Sequence, residues 1–192
     1  MAFVRQALAA LRLLVVMTVL VGLLYPAAVT VVAQLVANRQ ANGSLVTDAT
    51  GKVVGSSLIG QAFDGAEWFQ PRPSASGYAG TTSGGSNLSP VSKAQSDARA
   101  TREADLKAAN PDAVGPVPED ALTASASGLE PYISVAYAAW QVPRVAKARG
   151  MSVSDVQTLV AANTDRAVLG FLGQDVVNVT TLNAALSRLV TQ

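Results

Sequence analysis

The residues best suited to chemistry lie in TTSGGSNLSP, Thr81 to Pro90, where Ser83, Gly84, Gly85, Ser86 and Asn87 supply hydroxyls, an amide and a glycine pair in succession. Two chemistries use such a set. Backbone amides of a glycine-rich loop at a helix N-terminus can cradle a phosphate, usually with a lysine nearby. Hydroxyl, amide and carbonyl oxygens can also replace water around a hard cation. Lys93 follows and a helix is expected from Ser92, but the phosphate-loop pattern GxxxxGK[ST] is absent. Serine-glycine composition is equally that of an exposed loop, so a phosphate cradle, an ion-facing rim and a structural loop all stay open.

Other chemistry is narrowed by what is missing. The chain has no cysteine and no histidine. That removes Ser/His/Asp and Cys/His nucleophiles, the zinc-binding HExxH pattern and any disulfide framework. Asp112, Glu119, Asp120 and Glu130 are scattered at loop ends, where carboxylates act as caps and turn residues, so no catalytic residue and no metal ligand is assigned. Lys and Arg total 14 against 13 Asp and Glu. This near-balance offers no footprint for nucleic acid. In EWFQPRPSASGY, Trp68, Phe69, Arg72 and Tyr78 interleave aromatic and basic groups. Interface contact and core packing are both open for them. Arg144, after Pro143, joins them as an interface candidate. NGS, NLS and NVT match the glycosylation pattern, a motif short enough to arise by chance.

These residues need a scaffold, and the scaffold begins with a membrane anchor. Leu13 to Asn38 carries no charge, and about 20 apolar residues suffice to cross a bilayer as a helix. A transmembrane helix is expected over 13–36, preceded by a short cytoplasmic tail over 1–12. A cleaved signal peptide, with Val31 and Ala33 as small-residue signals, is the competing reading, disfavoured by the length of the apolar run. Gly22 and Pro26 are tolerated in a membrane where neighbouring groups satisfy the freed backbone. Arg5 and Arg12 on the short side face Arg39 and Lys52 on the long one, and the short arginine-bearing tail favours the N-terminus inside. Residues 39–192 then form an extracytoplasmic (periplasmic or outer-face) domain of the plasma, or inner, membrane.

Within that domain the fold class is α+β, a small antiparallel sheet packed with several helices. A hairpin is expected from Leu45 to Thr47 and Lys52 to Ile59 around Asp48 to Gly51. Turn chemistry fills Gln61 to Pro90, and a loop of that length is usually functional or disordered. Ser92 to Asn110 reads as a polar helix with Ser92 as N-cap and a shallow alanine face. Pro131 is placed for a first helical position, with Ile133, Ala136, Tyr137 and Trp140 on one face. Pro143 is expected to end that helix and start another running to Gly150. Ser152 with Asp155 caps a further helix. A last one, Thr180 to Val190, is expected to bury Leu182, Leu186 and Leu189.

Six ordered blocks carry a family resemblance: VGSSLIGQAF, WFQPRPSASGY, SGGSNLSP, TASASGLEPYIS, QVPRVAKARG and GFLGQDVVNVTTLNAAL, from Val54 to Leu186. Together with the single N-terminal span, this order resembles the C subunit of the bacterial Kdp potassium-transporting P-type ATPase. Asp175 to Val177 departs from the family pattern, which has an acidic-proline start there. The resemblance implies a non-catalytic subunit of a membrane complex. Its partners would be a channel-like potassium-translocating subunit, a P-type ATPase subunit that hydrolyses ATP, and a small one-helix subunit. It implies a catalytic chaperone that raises the ATP affinity of the pump subunit and stabilises assembly, with ATP and potassium handled by the complex and no cofactor held firmly here. SGGSN is similar to the SGGQ core of transporter signature loops, and with Gln141 the resemblance points to nucleotide contact. The topology instead places Ser83 to Asn87 and Gln141 outside, as a surface capping the translocating subunit. From another class, the runner-up is a membrane-anchored ligand-binding module with no pump partner. A secreted hydrolase would require cleavage after about Ala33.

Overall fold

A computed structural model of the chain describes residues 2–189. It divides into two compact units, Met1–Ser44 and Leu45–Gln192. The first is a helical run long and apolar enough to cross a membrane, Ala2–Val36. It comprises α1 (Ala2–Met17), a π-helical segment (Thr18–Leu24) and α2 (Tyr25–Val36), none with a buried residue. Segment 1–12 is thus helical from Ala2, and Arg5 and Arg12 lie on α1. The π segment has a local cause. Pro26 offers no N–H and its ring crowds the carbonyl four residues back, at Gly22. Widening the turn relieves that crowding, and Tyr25 N–H bonds Leu20 O, five residues back. Past the apolar stretch, Gln34 Oε1 accepts from Asn38 Nδ2 at 2.6 Å and Asn42 Nδ2 at 3.1 Å, an amide ladder joining α2 to the short α3 (Asn38–Ala41).

The second unit is α+β, as expected, with two small antiparallel sheets where one was anticipated. β1 (Leu45–Thr47) and β2 (Val53–Ser56) form the hairpin, with an irregularity between Val46 and Thr47. Asp48 Oδ1 takes the N–H groups of Thr50 (2.8 Å) and Lys52 (3.1 Å) and builds the turn. β2 stops short of Ile59 because Ser56 Oγ accepts Leu58 N–H and turns the chain. The second sheet runs β3 (Tyr132–Ser134), β5 (Val176–Asn178), β4 (Thr164–Asp165), with Ile133 opposite Val177. β5 falls where the family pattern has its acidic-proline start, and Asp175 there accepts Ala167 N–H.

Helix boundaries correct three expectations. Pro131 does not open a helix: Tyr132 and Ile133 extend into β3, and Ser134 is the N-cap of α6 (Val135–Arg149), its Oγ accepting Tyr137 N–H at 3.0 Å. Pro143 does not end α6, which continues to Gly150, a left-handed C-cap at φ 65°. An interior proline costs about 3 kcal/mol. Burial of Val142, Val145 and Ala146 on the same rigid rod offsets that cost, at roughly 1.5–3 kcal/mol for a fully buried valine side chain. In α8 (Val179–Leu189) Leu182 and Leu186 are fully buried, but Leu189 is 46% exposed, because the helix passes the edge of the core before its last turn. Val190 lies outside the described residues.

The other helices follow their signals. Ser92 Oγ caps α4 (Lys93–Ala109), which buries no residue, in keeping with its alanine face. Arg102 donates to Leu122 O and Arg99 pairs with Glu119, tying α4 to α5 (Glu119–Leu122). Ser152 caps α7 (Val153–Ala162). The core gathers Phe69, Ile133, Tyr137, Val145, Val156, Val177, Leu182 and Leu186 between α6, α7, α8 and the β3-β5-β4 sheet.

A buried amide clamp and an exposed glycine loop

The residues singled out in the sequence separate into two places. One is a buried polar clamp on the extended segment Ala66 to Gln70. Gln141 is fully buried and turns both ends of its amide to one residue, Gln70. Its Oε1 accepts Gln70 N–H at 2.7 Å and its Nε2 donates to Gln70 O at 3.1 Å. Asn183, on α8, does the same for Phe69, accepting its N–H and donating to its carbonyl, both at 2.9 Å. Side-chain amides thereby replace the neighbouring strand that an extended segment normally pairs with. The buried backbone polar groups are satisfied without sheet pairing.

Arg144 completes the clamp from the same helix as Gln141. Its Nη1 donates to Ala66 O and Trp68 O, its Nε to Asn110 Oδ1 at 2.7 Å, and its Nη2 to Gln141 Oε1 at 2.7 Å. Burial pushes the guanidinium pKa down, opposed by Tyr137 and Glu67. Four oxygen acceptors compensate the desolvated charge, as a buried ion requires. Arg149 lies over the Trp68 ring at 4.1 Å and donates to Glu67 O. Phe69 and Arg144 are therefore interior, not interface residues of the isolated chain. Phe69 fills the core, and every Arg144 nitrogen has a partner in the fold. Trp68 is half-buried under Arg149.

The second place is the glycine loop. Ser83, Ser86 and Asn87 are exposed, Gly84 and Gly85 half-buried. Gly84 N–H and Ser83 Oγ both bond Ser127 O, at 2.8 and 3.0 Å. A Cβ on Gly85 would meet Ala126 O at 3.0 Å, and one on Gly128 would meet Gly84 O at 2.7 Å, so two backbones press together. The Gly84 amide is spent inside the fold, and the loop does not open a helix, since α4 starts at Lys93. Gln141 is not on the loop's surface. Arg72 and Tyr78 are held in the segment before the loop. Tyr78 holds a positive φ of 60° and its hydroxyl donates to Arg72 O, while Arg72 Nη2 reaches Thr123 O at 3.3 Å. Burial raises the Tyr78 pKa to about 12, against the lowering effect of Arg72.

A groove of about 1020 Å³ is lined by Arg72, Glu130, Tyr132, Trp140 and Pro143 among others, and by no residue of the clamp. Trp140 Nε1 and Arg72 Nε, both from that lining, have no hydrogen-bond partner among the described residues. Asn110 and Asn183 were missed as functional residues of the sequence. A signal existed for Asn183, an amide beside Leu182 and one turn before Leu186 on the apolar face of α8. An amide at such a position must find partners inside.

Comparison with known proteins decides the family. Residues 7–188 match the family model described as KdpC, the K+-transporting ATPase c chain. The chain belongs to the KdpC family. It is 51% identical over 183 residues to the potassium-transporting ATPase KdpC subunit of Myxococcus xanthus, covering 94% of this chain and 87% of that one. The KdpC subunit of Geobacter sulfurreducens is 47% identical over 189 residues, covering 94% and 96%. That of Herpetosiphon aurantiacus is 50% identical over 190 residues, covering 97% and 96%. In KdpC terms, the clamp, the glycine loop and the N-terminal helix from residue 7 onward fall inside the matched region.

Proposed function

We propose that the chain is a non-catalytic accessory subunit of an ATP-driven, high-affinity potassium uptake complex. Its partners are the potassium-translocating channel-like subunit, the P-type subunit that hydrolyses ATP and the small one-helix subunit. The N-terminal helix crosses the plasma membrane with its N-terminus inside, and the folded unit caps the translocating subunit on the outer face. As a catalytic chaperone it raises the ATP affinity or turnover of the hydrolysing subunit and stabilises assembly. The observation that carries this reading is the occupancy of Gln141. With both amide ends held by Gln70 and Arg144 and the side chain fully buried, it is not presented to a nucleotide. Action on ATP then runs through conformational coupling, in which this subunit binds one state of the pump better than another.

Two experiments test it. A mild-detergent pull-down on this chain is expected to retain both large transport subunits, and recovery of a stable monomer would refute the complex. Ser86→Cys then reports sidedness without interference, since the chain has no native cysteine. Labelling by an impermeant reagent from outside is expected, and labelling only from the cytoplasmic side would revive direct contact with ATP. The groove lined by Trp140 gives the second reading its footing, a membrane-anchored ligand-binding module. The same pull-down separates the two.

A further inference from the structure

Between β4 and β5 the chain makes a short finger, VLGFLG over 168–173, whose surface is the wrong kind for an isolated domain. Val168, Leu169, Phe171 and Leu172 are 65%, 78%, 72% and 53% exposed. Single exposed apolar residues need no explanation, but four within five positions form a contiguous patch. The finger is also built, not loose. Val168 N–H bonds Leu172 O at 3.0 Å, Leu172 N–H bonds Val168 O at 2.9 Å, and Gly170 N–H bonds Ala167 O at 3.0 Å. Asp175 ties its base by accepting Ala167 N–H at 2.9 Å. Leu169 sits in the left-handed region at φ 56°, next to Gly170 at φ 78°. A leucine there is strained at a cost of roughly 1–3 kcal/mol, which no burial of its own side chain offsets.

We propose that this finger is a preformed hydrophobic anchor by which the chain docks into an apolar pocket of another subunit of its complex, with Leu169 and Phe171 as the inserted residues. The inference rests on the reading of the chain as a pump subunit. Charge favours a protein pocket over a bilayer surface. The finger is flanked by Asp165 and Asp175 against Arg166 alone, which an anionic headgroup layer would repel, whereas lipid-inserting tips carry excess Lys or Arg. The surface is continuous at the base, where Arg166 and Asp175 border a hollow of about 330 Å³ lined by Val135, Ala139, Val142 and Val160. Ridge and hollow together give a partner both a knob to receive and a recess to fill. A rigid aromatic tip already in its bound conformation loses little entropy on docking, the usual character of an interface hot spot.

The test uses the full chain co-expressed with the other subunits. A photo-crosslinking residue placed at Phe171 is expected to crosslink to another subunit, while one at Val114, 91% exposed and remote in sequence, is not. The double substitution Leu169→Ser and Phe171→Ser is expected to reduce retention of the chain in the purified complex by at least about tenfold, two hot-spot truncations being involved. Its circular dichroism spectrum and melting temperature stay those of the parent, because neither side chain belongs to the core. Crosslinking only to lipid, or unchanged retention and potassium-stimulated ATPase activity in the double variant, would overturn the proposal. If the unsubstituted chain itself fails to copurify, the subunit reading falls and takes the anchor with it. Loss in the double variant alone leaves that reading standing.

Discussion

Gln141→Leu separates a clamp from a nucleotide contact. The substitution keeps the volume approximately and deletes the amide, leaving Gln70 N–H, Gln70 O and one Arg144 Nη2 donor without their partners. Each buried polar group left unsatisfied costs about 1–3 kcal/mol. Gln70 is half-buried, so water recovers part of its share, and the added apolar burial of leucine returns roughly 1–2 kcal/mol. The expected net loss is about 2–4 kcal/mol, a large fraction of the 5–15 kcal/mol typical of a domain. At about 2–4 °C per kcal/mol for a chain of this size, the melting temperature falls by roughly 4–16 °C. Thermal unfolding of the full chain in detergent, followed by the fluorescence of Trp68 and Trp140, reads the stability. Hydrogen exchange of the Gln70 amide reads the clamp directly, and its protection is expected to drop ahead of the α6 amides. Unchanged stability and Gln70 protection, together with a weakened ATP affinity of the assembled complex, would refute the argument and return Gln141 to nucleotide binding.

Other consequences are independent of the clamp. Gly84→Ala is expected to leave melting temperature and complex activity within error, since a Cβ there meets nothing within 4 Å. Gly128→Ala, at φ 68° and against Gly84 O, costs about 1–3 kcal/mol and loosens the loop, measurable by denaturant titration. Raised pH should destabilise the second unit, Leu45–Gln192. Above the ordinary tyrosine value of 10.0 the unfolded state loses the Tyr78 proton while the folded state keeps it up to about 12, so stability falls across that window. Tyr78→Phe is expected to flatten part of this slope in melts taken from pH 9 to 12, with Tyr137, raised by burial in the same direction, supplying the remainder. Pro143→Ala supplies a helical N–H for Ala139 O and removes a ring clash. A gain of about 1–3 kcal/mol in thermal stability is expected, and a loss would mean that the proline ring packs as a structural part of the groove.

Features set by short-range physics were legible from residue order. The uncharged run from Leu13, which makes up most of the helix Ala2–Val36, is one, since a chain of such composition in a bilayer must satisfy its backbone internally. The serine caps at Ser92 and Ser152 are others, because a hydroxyl reaches the second or third N–H beyond it whatever surrounds the helix. The family blocks were legible too, and residues 7–188 carry them. Long-range choices were not. β3 and α6 share the stretch after Pro131, and only Val176–Asn178 arriving from some 40 residues further on converts Tyr132–Ser134 into a strand. Pro143 breaks a helix by local rule and survives within one because burial along α6 outweighs the break. Gln141, Asn183 and Arg144 are polar by type and interior by placement. Their partners lie as far as 114 positions away in the chain. A side chain's hydrogen-bonding capacity is written in its residue type, but which backbone it satisfies depends on the packing that brings the two together.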